Sequence, residues 1–117
     1  MRYQQLSNDY AVAGQISPGD VAGIADAGFK TIICNRPDGE DMGQTDFADI
    51  KSACEQHNLE CYHIPMTGSN LTEDIVRGQL KAMSGSEGSV LAYCRSGDRS
   101  TVIWGFIAKM LENAAGR

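Results

Sequence analysis

The chain has 117 residues, 42% of them hydrophobic and 21% charged, with a formal net charge of −5. That length suffices for one domain burying about two thirds of its unfolded surface, and the composition excludes a disordered chain. An acidic balance with no lysine or arginine run argues against a nucleic-acid partner, and no apolar run approaches the ~18 residues a membrane span needs.

Residues 2–6 and 10–13 read as short strands parted by a turn at Ser7-Asn8-Asp9. Ser17-Pro18-Gly19-Asp20 starts a helix, with Ser17 as N-cap, Pro18 at the first helical position and Asp20 reaching back. Val21, Ile24 and Ala25 form its inward face, and Gly28 stops it. The β-branched run Phe29-Lys30-Thr31-Ile32-Ile33-Cys34 predicts a buried parallel strand, followed by the polar loop 35–41. The stretch 45–57 reads as a helix with Phe47, Ile50 and Cys54 on one face, and 60–65 as a further strand. After the loop 66–70, Thr72 caps a helix whose apolar face is Ile75, Val76, Leu80 and Met83. Gly85 and Gly88 break it, and Ser89-Val90-Leu91-Ala92-Tyr93 predicts the last strand. A helix then runs from about Ser100 to Leu111, with Ile103, Phe106, Ile107 and Met110 expected in the core.

Strands alternating with helices predict a single α/β domain over 1–117, with a mostly parallel central sheet flanked by helices. Ligands in such folds sit beyond the carboxyl ends of the strands. That rule gathers the loops 35–41, 66–70 and 94–100 on one rim.

The chemistry concentrates in Cys94-Arg95-Ser96-Gly97-Asp98-Arg99-Ser100, between that last strand and the last helix. A strand-to-helix turn aims backbone N–H groups and a helix amino terminus at one point, which stabilises anions, a thiolate included. Cys94 is the expected nucleophile and Arg99 the anion clamp. Arg95, Ser96, Gly97, Asp98 and Ser100 complete the expected anion-binding loop, and Arg36 is a further candidate from the 35–41 loop. The bland alternatives stand beside these: Cys94 as a small buried hydrophobe, Arg36 as an ion-pair partner of Asp38 or Glu40, and Asp98 as an outward-facing side chain. His63 and Tyr93 read as packing residues, and Glu40–Asp41 as a solvated pair.

Cys34, Cys54, Cys61 and Cys94 include no Cys-x-x-Cys pair, and the histidines complete no ligand set, so no metal and no cofactor are expected. Met1 to Leu6 lacks the apolar core of a signal peptide, so a cytoplasmic location with free thiols is expected. Cys34 ends a strand near the rim and could resolve an oxidised Cys94, or be a small buried hydrophobe.

Gly28-Phe29-Lys30-Thr31-Ile32-Ile33, Asn35-Arg36-Pro37-Asp38-Gly39-Glu40, His63-Ile64-Pro65 and Cys94-Arg95-Ser96-Gly97-Asp98-Arg99-Ser100 together resemble the phosphatase-like domain of beta-lactamase-hydrolase-like proteins, from about residue 5 to residue 110. The resemblance implies a tyrosine- and dual-specificity-phosphatase fold in a bacterial protein, with Cys94 at the nucleophile position and Arg99 at the anion-binding position. It also implies a persulfide-dioxygenase-like or other redox protein as a partner.

Three departures from tyrosine phosphatases bear on the reaction. Only four residues separate Cys94 from Arg99, one fewer than in those enzymes; Tyr93 replaces the usual histidine; and the loop 66–70 holds no aspartate. The site loop is also similar to that of single-domain rhodaneses. The leading expectation is therefore a sulfurtransferase that moves sulfane sulfur from thiosulfate or a persulfide through a Cys94 persulfide. A phosphatase acting on a phosphate ester through a Cys94 phosphocysteine is the alternative. A non-catalytic anion- or redox-sensing or partner module is the third.

Overall fold

The computed structural model describes residues 1–115. Its centre is one five-stranded sheet built from β1 (Gln4–Ser7), β2 (Tyr10–Ala13), β3 (Phe29–Cys34), β4 (Glu60–His63) and β5 (Ser89–Tyr93), in the order β1-β2-β5-β3-β4. β1 and β2 form an antiparallel hairpin, and all other pairings are parallel. β5 is the middle strand, with Ala13 and Cys34 both in register with Tyr93. Buried on both faces, it tolerates only apolar residues, hence Val90-Leu91-Ala92-Tyr93.

The helices are α1 (Val21–Asp26), α2 (Phe47–Gln56), α3 (Glu73–Ser84) and α4 (Asp98–Ala115). Ile32, Cys34, Leu91 and Tyr93 face α1 and α2, meeting Val21, Ile24, Ile50 and Cys54. The alternate residues Ile33, Val90 and Ala92 face the other side with Tyr10 and Val12, against Ala82 of α3 and Trp104 of α4. Ile103 and Ile107 of α4 close that side with Val76 and Met66. Fully burying each such side chain contributes about 1.5–3 kcal/mol.

The helix boundaries follow their caps. Asp20 accepts from the Ser17 amide at 2.9 Å, and a 3-10 turn over Pro18–Asp20 leads into α1. Thr72 Oγ1 accepts from the Ile75 amide and starts α3. Two expectations fail. The last helix begins at Asp98, because the site loop is already turning when it leaves Gly97 (φ +96). Phe106 and Met110 are exposed, 55% and 42%, rather than core. The 103/107 ridge fills the space against the sheet and α3. Phe106 and Met110 lie on the next ridge, lining an apolar groove of about 350 Å³ with Leu71 and Val76. No helix among the described residues is long and apolar enough to cross a membrane.

Candidate active site

The carboxyl ends of β2, β5 and β3 converge on Cys94. The Cys94 amide donates to Ala13 O at 3.3 Å, the Gln15 amide to Arg95 O at 3.2 Å, and the Asn35 amide to Tyr93 O at 2.7 Å. Backbone on both sides thus fixes where the loop leaves the sheet. The thiol is buried, and the Gly97 amide donates to its Sγ at 3.1 Å. That inward amide requires the left-handed turn at Gly97, where a Cβ would also sit 3.5 Å from the backbone of Ala13. Thr101 donates its hydroxyl and its amide to Gly97 O, at 2.8 and 3.0 Å, and locks the turn onto α4. The amides of Arg95, Ser96, Arg99 and Ser100 find no acceptor among the described residues. A ring of free amides at a helix amino terminus is an anion cradle.

Arg99 closes the cradle. Nη1 and Nη2 donate to Glu40 Oε2 and Oε1, each at 2.8 Å, and Nη1 also donates to Met66 O at 2.8 Å. These contacts use the end of the guanidinium and leave Nε–H and one Nη2 hydrogen, its side-on fork. The Glu40 carboxylate, first of all, holds the guanidinium pKa above its usual value, and the nearby Cys94 adds to the effect. In return the Arg99 hydrogen bonds, with a smaller contribution from Arg36, hold Glu40 down to about 2. Glu40, although exposed, is therefore an anion bonded to Arg99 and Arg36 rather than a loop carboxylate bonded to solvent alone.

Arg36 is not a free substrate ligand. It is 3% exposed, and each of its nitrogens is engaged: Nε with Glu40 at 2.9 Å, Nη1 with Gln15 Oε1 at 2.9 Å and Nη2 with Asp41 at 2.7 Å. Its carbonyl accepts from the Cys34 thiol at 3.3 Å and lies 2.9 Å from His63 Nε2, whose ring stacks on Phe47. Arg36 thereby fixes Glu40, which fixes Arg99. Arg95 is exposed at the rim, with Nε 3.3 Å from Asp41. Asp98 and Ser96 are exposed, and the Asp98 amide donates to Ser96 Oγ at 3.3 Å.

Ser100 points away from the thiol, into a buried polar network. Its hydroxyl donates to Asn35 Oδ1 at 2.9 Å, and Asn35 exchanges two amide hydrogen bonds with Gln79, at 2.8 and 3.1 Å. Gln79 also donates to Tyr10 Oη, which donates to Ser100 O at 3.3 Å. Every buried side-chain polar atom among the described residues has a partner. Burial pushes the Tyr10 hydroxyl pKa up. This network, invisible to motif reading, ties α4 to β2, to the loop after β3 and to α3.

The other thiols lie on the opposite face of the sheet. Cys34, its pKa pushed up by burial, belongs to the cluster under α1 and α2 with Tyr93 and Cys54, against which Cys61 packs. No group of three or more His, Cys, Asp or Glu residues that could hold a metal occurs among the described residues.

A parallel sheet with a thiol, an amide cradle and an arginine on one strand-loop-helix turn defines the architecture of the protein-tyrosine-phosphatase-like proteins. Within it, the chain belongs to the family of the beta-lactamase hydrolase-like protein, phosphatase-like domain, whose model matches residues 2–111. The curated beta-lactamase hydrolase-like protein of Agrobacterium fabrum is 33% identical over 104 residues, covering 89% of this chain and 24% of that protein. The chain thus spans about a quarter of the length of that relative. Among solved structures, a candidate phosphatase from Neisseria meningitidis is 38% identical with a TM-score of 0.80, covering 88% of this chain and 73% of that one. The catalytic core of the PP-IP phosphatase Siw14 from S. cerevisiae superposes with a TM-score of 0.71 over 92% of this chain and 64% of that one. At 14% identity it shares the fold alone.

Proposed function

We propose that this domain is a cysteine-dependent phosphatase. The carrying observation is Arg99, held end-on by Glu40 and Met66 O so that its side-on fork stays free at the end of the loop that begins with Cys94. In this reading, Cys94 attacks phosphorus in line with the leaving group. The S–P bond forms as the bond to the leaving oxygen breaks, giving phosphocysteine. The cradle amides and the Arg99 fork hold the non-bridging oxygens as charge shifts onto them. Water then attacks phosphorus, the S–P bond breaks, the thiolate is regenerated, and the water's proton leaves with phosphate or to solvent. Arg36 and Glu40 act by positioning Arg99.

The phosphatase names carried by the relatives support phosphoryl transfer over the sulfur transfer expected from the loop sequence. The four-residue spacing between Cys94 and Arg99 and the loop 66–70 without an aspartate are features that fit rhodanese chemistry. A direct test sets an aryl phosphate assay beside a thiosulfate–cyanide assay, with intact mass recorded after each. Turnover of the aryl phosphate and a phosphate adduct on Cys94 support the proposal. Turnover of thiosulfate alone, with a sulfur adduct on Cys94, overturns it.

A further inference from the structure

The rim of the site is rich in carboxylates, and the structure commits those around Arg99. Glu40 places both oxygens on Arg99, one also on Arg36, and is held down to about 2. Asp41 Oδ2 bridges Arg36 at 2.7 Å and Arg95 at 3.3 Å. Asp38 caps α2, accepting from the Phe47 amide at 2.9 Å. The exposed Asp98 carboxylate has no partner among the described residues; with Ser96 and Gly97 of the loop, and with Arg2, Tyr3 and Thr101, Asp98 lines a cavity of about 300 Å³ on the β1–β2 side. Glu40 and Met66, which flank Arg99, are not among its walls. Within α3, Glu73 pairs with Arg77. Three further groups of ordinary acid chemistry, His63, Tyr10 and Tyr93, are also engaged. The His63 ring is stacked on Phe47 with Nε2 against Arg36 O, the Tyr10 hydroxyl sits in the buried network, and Tyr93 lies in the core beneath the sheet.

A leaving group that departs as an alkoxide is about as basic as hydroxide, whose conjugate acid has a pKa of about 15.7, so it needs a proton in the transition state. A carboxylate, with a pKa of about 4, or a phosphate, near 6, departs without one. Resting on the phosphatase reading, we propose that the substrates are phosphoryl groups on acidic leaving groups, phosphoanhydrides and acyl phosphates, and that alkyl phosphomonoesters are discriminated against. The site supplies the nucleophile and the oxyanion clamp, and the substrate supplies a leaving group stable as an anion. Electrons and atoms balance without a donor: the P–O bond pair leaves with the anion, and the thiolate pair forms the S–P bond.

The experiment measures kcat/KM of the intact protein for aryl phosphates of graded phenol acidity, an alkyl phosphate, acetyl phosphate and inorganic pyrophosphate. kcat/KM reports the first phosphoryl transfer even where phosphocysteine hydrolysis limits turnover. The expected result is a fall of roughly tenfold for each unit or two of leaving-group pKa. With it comes no loss of kcat/KM on the basic side, from about pH 6 to about pH 9. A level profile across the series overturns this inference and leaves the phosphatase reading intact. So does a basic-side loss that Asp98→Asn or Asp41→Asn abolishes. No turnover of any member, the most acidic leaving groups included, overturns the phosphatase reading and this inference with it.

Discussion

Glu40 and Arg99 stand 59 residues apart in sequence and face each other through two parallel hydrogen bonds of 2.8 Å. The pair fixes the plane of the guanidinium, and so the direction in which its free edge points. Glu40→Gln keeps the shape and removes the charge. Misorienting a clamp costs about 10²-fold in the worst cases, so the expected loss in kcat/KM is ten- to a hundredfold, well beyond what the accompanying fall in melting temperature accounts for. Steady-state kinetics beside a thermal melt separates the two; an equal loss of stability and activity would make the pair merely structural.

The same pair sets an acid limit. Glu40 is held at about 2 against an ordinary 4.5, so the folded state favours its anion. Its contribution to stability is fully present above pH 4.5 and disappears as pH falls towards 2. Urea unfolding of the wild type across that window should show a decline that Glu40→Gln shallows. Parallel curves for the two proteins would contradict the assignment.

Arg99→Lys should behave almost as badly as Arg99→Ala. An ammonium cannot hold two oxygens of Glu40 in one plane and offer a second planar edge to an anion. Titration with vanadate or sulfate, followed by protein fluorescence, should show weakened binding in both variants. Binding by the lysine variant close to wild type would show that charge alone suffices.

Gly97→Ala tests the loop directly. At φ +96 an L-residue is strained, by about 1–3 kcal/mol, and relief turns the Gly97 amide away from Cys94 Sγ. Alkylation of Cys94 by iodoacetamide should slow several-fold, read by peptide mapping. An unchanged rate with an unchanged melt would mean that the amide plays no part in activating the thiol.

Gln79→Leu leaves one Asn35 amide hydrogen without its acceptor and removes one donor from Asn35 Oδ1 and one from Tyr10 Oη, although both residues keep their bonds to Ser100. Leaving buried polar groups unpaired costs about 1–3 kcal/mol each, and the deficit should appear as a lower denaturant midpoint. A double-mutant cycle with Asn35→Ala should be non-additive, since both residues serve one network. Additive effects would dissolve the network into independent contacts.

The fold was legible because its signals are local. The β-branched run 29–34, the Thr72 cap and the glycine-bounded apolar run 89–93 each specify an element within a few residues. The cysteine loop was legible for the same reason. Phe106 and Met110 misled because the period of a helix marks an apolar stripe but not how much of that stripe a neighbour covers. Glu40 read as a solvated loop carboxylate because its partner lies far along the chain, and Arg36 kept two readings because nothing local reveals its burial. Asn35 and Gln79 carried only faint signals. Gln79 shares the apolar stripe of Val76, Leu80 and Met83, an odd place for an amide unless it has a buried partner.

β5 lies in the middle of the sheet, and the thiol is held where β2 and β3 grip its last residues from either side. Amide protons at such a junction exchange with solvent through global opening rather than through local fraying. The amides of Cys94 and Asn35 should therefore belong to the slowest-exchanging set, along with those of Leu91 and Ile32. The reactive centre then has no partly open form of its own to visit. Under rising denaturant it should stay competent until the whole sheet lets go, so that loss of activity and loss of structure share one midpoint.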